Sequence, residues 1–286
     1  SRSKDVLEES DRQPALVHQY LNKLFIYNNQ GDSVPAIRNV WELTAPEMKG
    51  NVLFKNPETE KVNMNFLIMC TEPAWAEKLA EAYRDWKGTD IDLGSFENAG
   101  YKWVAEFLDN VTFGKSDTSI AEELSQKTAA GKIGLFVLSK LRSSSVLTEN
   151  LTVAQYDASA NGYAIEPFSG FMYPMYTMVN TKATRPYTAM LFIEYLMSQE
   201  GFAPWGKSIG SYSPNPAFTV NEEGSRNVAL ACRMCGAQVS GFSSGPFTVA
   251  VGIRAVNPDR SLFFSVLIRS FASGSHAATA SPSARI

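Results

Sequence analysis

Histidine and cysteine are scarce in this chain of 286 residues: His18 and His276 are its two histidines, and Cys70, Cys232 and Cys235 its three cysteines. Two histidines offer no metal cluster and no Ser-His pairing, so the expectation is a protein that is not an enzyme and holds no cofactor or metal. Three cysteines are too few for a disulfide framework, and Cys70 lies in an apolar run where a buried free thiol is the ordinary reading. Cys232-x-x-Cys235 has the spacing of a redox or metal pair, but no second pair and no strand-helix context accompanies it, so chance explains it better. A Gly-rich phosphate loop is missing. So is any run of about eighteen apolar residues that would span a bilayer. No basic excess exists either: the formal net charge is −3, which gives no footprint for nucleic acid. The chain opens on Ser1 with no basic-then-apolar leader, so it reads as beginning inside a longer product or after processing.

What is present is an alternation of helix and strand patterns, in a length sufficient for two lobes or one large domain. Ser1 to Gln13 is charged and polar, a connecting segment. Within LVHQYLNKLFIY, Leu24 to Tyr27 are strand formers ahead of the turn residues Asn28, Asn29 and Gly31. Pro46 and Gly50 punctuate WELTAPEMKG, and a strand is expected at Val52 to Phe54. Val62 to Cys70 is mostly apolar and reads as buried. Thr71 is a candidate cap for a helix whose Trp75, Leu79, Tyr83 and Trp86 form one core-facing stripe. A second helix is expected from about Ala99 to Leu108, burying Tyr101, Val104 and Leu108. A third opens at Ser119, with Glu122 completing a capping box. Ile133 to Leu138 is a continuous apolar run of buried-strand type. Leu147 to Gly170 reads as a loop with one extended piece. Strand alternating with helix predicts a mainly parallel sheet covered on both sides.

The most informative stretch is Met172 to Pro216. Tyr176 to Asn180 reads as a strand, and Thr184-Arg185-Pro186 as a helix start. Ala189, Phe192, Ile193 and Leu196 have the spacing of a buried face, Gly201 sits where a left-handed cap is wanted, and Ser208 to Pro216 is loop chemistry. This wording, a strand ending near VN, a helix reading A-x-x-F-I-x-Y-L-x-S-x-E-G and then G-x-Y-x-x-N-P, resembles the late helix of bacterial solute-binding proteins that serve ABC importers. The likeness is to the two-lobed type II subgroup that includes ferric-iron, polyamine and thiamine binders. WELTAPEMKG resembles the L-x-x-P-x-x-K-G turn that precedes the second lobe's first strand in that family, and Val62 to Cys70 is helical by the same analogy. LVHQYLNKLFIY resembles the strand that crosses from the first lobe to the second. The resemblance spans roughly Leu16 to Pro216.

It implies an α/β, two-lobed fold of the periplasmic-binding-protein type, with mainly parallel sheets flanked by helices and an incomplete first lobe. Residues 1–30 would be a first-lobe remnant with the crossover strand, 31–180 the second lobe, 181–220 the late helix and cleft loop, and 221–286 an anomalous tail. That tail is set apart by composition: all fourteen lysines lie at or before Lys207, while six of the twelve arginines occur from Arg226 onward. It reads as disordered or of different origin, with Leu262 to Ile268 an aggregation hazard; an extra strand pair is the rival reading. The implied function is the extracellular solute-binding component of an ABC importer, a monomer that delivers a small polar, anionic solute to the permease's membrane subunits. Its place would be periplasmic or extracellular, with a lipid anchor as one means of holding the full-length protein there. A cytoplasmic ligand-sensing domain of a transcription regulator is the alternative on the same fold.

Ligands of open parallel sheets collect at the carboxyl ends of strands and at helix N-termini. The run Ile133 to Leu138 leads into Ser139-Lys140-Leu141-Arg142-Ser143. In the ferric-iron binders this corner carries two tyrosines; the resemblance puts Leu141 and Arg142 in their places, and an arginine repels Fe(III). Ser139, Lys140 and Arg142 suit an oxyanion instead, although Lys140 and Arg142 read equally well as solvated loop charges. Asn63 and Asn65 are further ligand candidates, or else capping and core hydrogen bonders. Glu58 and Glu60 beside them count against an anion there. Tyr173, Tyr176 and Tyr212 are candidates to line the cleft, or tyrosines satisfied by backbone.

Overall fold

The computed structural model describes residues 16–30, 37–156, 163–206 and 210–215, all within the unit Ser1–Phe242. Expectations for residues 1–15 and for the tail, including Leu262 to Ile268 and Cys232-x-x-Cys235, lie outside the described residues.

The organising strand is β1, Leu16–Asn28, thirteen residues long and so roughly 43 Å when extended. Its side chains alternate between two cores, as a strand buried on both faces requires. Phe25 joins Val52, Phe54, Ile133 and Leu135 in one apolar cluster, whereas Leu24 and Ile26 join Leu53 and Phe136 in the other. The first cluster is roofed by α1 (Lys61–Thr71), α2 (Pro73–Lys87) and α3 (Ala99–Asn110), through Phe66, Leu79, Trp103 and Phe107. The second is roofed by α4 (Asp117–Ser125), through Ile120, Ala121 and Leu124. Two 3₁₀ turns, Val40–Thr44 and Pro46–Met48, lock onto the helices. The Trp41 indole donates to the Leu79 carbonyl at 2.7 Å, and the Asn110 amide donates to the Leu43 and Ala45 carbonyls.

The sheet is mixed. Its path runs β3 (Val111–Gly114), β2 (Val52–Lys55), β4 (Ile133–Val137), β1, β5 (Leu151–Val153), with β6 (Gly170–Thr177) and β7 (Ser211–Tyr212) also paired to β1. β2 is parallel to both β3 and β4, the strands that crossover helices connect, while every pair made by β1 is antiparallel. The expected parallel sheet is therefore the β3-β2-β4 half. Lys23 to Tyr27 of β1 pair with β4, and Leu16 to Leu24 pair with β6 on the other edge. The β1–β6 ribbon thus runs on beyond the β4 ladder. A bulge between Val17 and Gln19 interrupts it, and the His18 ring there meets Trp205 of α6 (Gln199–Gly206) edge-on.

Several local expectations shift. Thr71 ends α1, its hydroxyl donating to the Ile68 carbonyl, and Glu72 precedes α2 instead. The capping box of α4 is Ser116 with Ser119, one turn earlier than Ser119 with Glu122, because the serine before Asp117 already satisfies the Ser119 N–H. On α3 the buried face is Ala99, Trp103 and Phe107, with Tyr101, Val104 and Leu108 half-buried at its margins. The strand expected at Tyr176 to Asn180 is β6, which starts six residues earlier and ends at Thr177. The expected late helix is α5, Pro186–Leu196; Ala189, Ile193 and Leu196 are half-buried in it, but Phe192 is exposed. Gly201 caps nothing in a left-handed conformation: it lies within α6 pressed on α5, where a Cβ would stand 1.9 Å from the Tyr195 carbonyl oxygen.

Candidate functional site

Where β2 and β4 end, two helices begin and a third segment turns back. β2 stops at Lys55, and the Asn56 carbonyl accepts the Thr59 and Glu60 N–H groups, so the chain folds over into α1 with Glu60 at its N-cap. β3 gives way to Ser116, which caps α4 and puts Asp117 in its first turn. β4 runs directly into the 3₁₀ turn Leu138–Arg142, which packs against α4 and β1.

Lys23 joins these pieces. Its side chain has no exposed surface, and its Nζ lies 3.3 Å from Glu60 Oε1 and 3.0 Å from Asp117 Oδ1. Glu60 Oε2 is held by Lys55, and Asp117 Oδ1 also accepts the N–H of Val137, the last residue of β4. Charges therefore alternate along a chain, Asp117, Lys23, Glu60, Lys55. A lysine so enclosed is tolerable only with partners of opposite charge. Burial opposes charge on Glu60, but the hydrogen bonds and charges of Lys55 and Lys23 outweigh it and hold the carboxyl below its usual range. The bond to Glu60 raises Lys55 in turn. Tyr173, across the ribbon on β6, has its phenol pushed up by burial and further by the negative Asp117 and Glu60.

Of the residues expected to bind a ligand, Ser139 and Lys140 are half-buried and Arg142 exposed in the turn after β4. Leu141 between them packs on the second core. Tyr173 is half-buried near the two carboxylates, whereas Tyr176, three residues on and so on the other face of β6, is exposed. Tyr212 is buried on β7 and its hydroxyl accepts from the Asn22 amide at 3.2 Å. Asn63 is fully buried, donating to the Lys55 carbonyl at 2.8 Å, with its Oδ1 unpartnered. Asn65 lies two residues further round α1 and is exposed. The structure thus brings Ser139, Lys140 and Arg142 together in one turn, with Tyr173 beside the charge chain and Asn63 under Lys55; Asn65 and Tyr176 point elsewhere.

Lys23, Lys55 and Asp117 escaped the sequence reading, and Glu60 entered it only as an unfavourable neighbour. One signal was available: a lone lysine immediately before the apolar run LFIY, inside a strand, requires an acidic partner. Among the described residues, no three His, Cys, Asp or Glu side chains are placed to hold a metal ion.

No protein-family model matches the chain, and no curated protein sequence matches it. Solved structures do. A ferric binding protein from Campylobacter jejuni superposes with a TM-score of 0.50 at 12% identity, covering 85% of this chain and 74% of that one. The apo ferric ion-binding protein A of Pasteurella haemolytica gives 0.49 at 10% identity, covering 84% and 73%. Apo FutA2 from Synechocystis PCC6803 gives 0.47 at 12% identity, covering 84% and 74%. At such identities likeness speaks to fold alone, and the first of the three carries it. The fold is a mixed sheet with flanking helices, of the type II periplasmic-binding-protein class.

Proposed function

We propose that this chain is the solute-binding component of an ABC importer, working on the periplasmic or extracellular side as a monomer. It takes up a small polar, anionic solute between two lobes and hands it to the membrane permease. The observation that carries the reading is the corner at the carboxyl ends of β2 and β4. Two helix N-termini meet there, and Lys23, Lys55, Lys140 and Arg142 outnumber Glu60 and Asp117. Helix N-termini and a basic surplus both favour negative charge. The long antiparallel β1–β6 ribbon, running beyond the helix-covered sheet, suits a hinge between lobes. The fold's likeness to a ferric binding protein supports capture of a small solute, and the importer assignment rests on the sequence resemblance. The sequence resemblance puts Leu141 and Arg142 in place of the iron binders' tyrosines, and of the two Arg142 suits an oxyanion.

Micromolar affinity needs about 8 kcal/mol, and charge-assisted hydrogen bonds contribute roughly 1.5–3 kcal/mol each. Three to five such contacts suffice, and Ser139, Lys140, Arg142 and Tyr173 are the proposed donors; Asn63, fully buried beneath Lys55, and Asn65 and Tyr176, which point elsewhere, are set aside. Thermal-shift measurements on the full chain test this. Inorganic phosphate, sulfate, citrate and glucose 6-phosphate are compared with spermidine and ferric citrate. An anion that binds is expected to raise Tm by roughly 5–10 °C at a hundredfold excess over Kd. Arg142→Ala is expected to abolish the rise. A response to spermidine or iron alone contradicts the anionic reading.

A further inference from the structure

We infer that Lys23 is a positioning residue that sets the sign of the charge accepted at the corner: it neutralises Glu60 and Asp117 from beneath, leaving the rim with positive charge in excess. This rests on the solute-binding reading above and deepens it. Lys23 cannot meet a solute, because its side chain has no exposed surface. Its ammonium has three N–H donors, and three carboxylate oxygens surround it: Glu60 Oε1 at 3.3 Å, Asp117 Oδ1 at 3.0 Å and Asp117 Oδ2 at 3.4 Å.

Both carboxylates stand at helix N-termini, Glu60 at α1 and Asp117 at α4, where the backbone would otherwise welcome an anionic solute. Each also keeps some exposure, 17% and 11% of its side chain. Left unneutralised, they would compete with an anion for the same N–H groups and repel it. Glu60 has a second cation in Lys55, but among the described residues Lys23 is the only salt-bridge partner of Asp117. The rim above, with Lys55 and the turn that carries Lys140 and Arg142, then acts on the solute without two opposing negative charges.

The test compares wild type, Lys23→Met, and the triple variant Lys23→Met/Glu60→Gln/Asp117→Asn, each as the full chain. Tm is followed against inorganic phosphate, sulfate, citrate, glucose 6-phosphate and spermidine. Wild type is expected to respond to at least one anion. Lys23→Met is expected to bind that anion about ten-fold or more weakly, because like charges now face it, and to gain a response to spermidine. The triple variant, with the two acids made neutral, is expected to regain the anion response and lose the one to spermidine. A lysine needed only for folding would give no such exchange of ligand sign. Lys23→Met that folds and keeps wild-type anion affinity overturns the inference, as does a folded triple variant that stays blind to the anion wild type binds. If Lys23→Met does not fold, the triple variant alone decides. If wild type responds to no anion, the solute reading itself falls and the inference with it, a failure distinct from the others.

Discussion

The Lys23 ammonium is fully buried between the carboxylates of Glu60 and Asp117. Removing one partner of a buried ion network strands the others, at a cost of about 3–5 kcal/mol, so Lys23→Met is expected to lower the urea midpoint sharply. Neutralising Glu60 and Asp117 as well should return most of that loss. Glu60 adds a pH dependence whose sign follows from its depressed carboxyl. A carboxyl more acidic in the folded chain than in the unfolded one stabilises above the unfolded value of about 4.3, and that stability is lost as pH falls through the folded value. Urea unfolding between pH 7 and pH 3 should therefore show a fall in stability that is smaller in Glu60→Gln. A Glu60→Gln variant with the wild-type profile would contradict the assignment. At this scale the sequence was least legible. Ser139, Lys140 and Arg142 are proposed as solute contacts from their place after an apolar run, because strand ends in α/β sheets present side chains to ligands. Lys23, Glu60 and Asp117 come from three separate stretches, and only the register of β1 against β4 and the starts of α1 and α4 bring them together.

Elements were easier to read where one physical rule dominated. The stripe Trp75, Leu79, Tyr83, Trp86 and the run from Ile133 follow from burial alone, and α2 and β4 lie there. Boundaries slipped where two rules competed. Ser116 and Ser119 are both competent caps, and β6 draws its start from pairing with Leu24 rather than from its own composition. Gly170 marks that start. Its φ is +146°, and a Cβ would lie 2.1 Å from the Lys23 carbonyl oxygen, so an alanine must displace either strand. Gly170→Ala is expected to cost more than about 1 kcal/mol and to speed hydrogen exchange at the Phe25 amide, which donates to the Ser169 carbonyl at 2.8 Å. Unchanged protection there would mean that the junction is softer than its geometry implies. The late helix was placed correctly by Pro186, yet Gly201 was misread because close packing and a left-handed cap both call for glycine.

At the scale of the whole molecule, alternating strands and helices gave the covered sheet, and the mixed direction of its strands comes from β1, whose partners β4, β5, β6 and β7 are spread along the chain. Composition alone does not fix such pairings; they depend on which edges remain open once the β3-β2-β4 half has formed. An anion site at the carboxyl edge of that sheet is the proposal on which the rest depends. Calorimetric titration of the full chain tests this most directly, using whichever of phosphate, sulfate, citrate or glucose 6-phosphate raises Tm most, with Arg142→Ala and spermidine as controls. Saturable binding of the anion is expected, weakening with added salt, lost in Arg142→Ala, and without a counterpart for spermidine. Saturable binding of spermidine with none of any anion would contradict it.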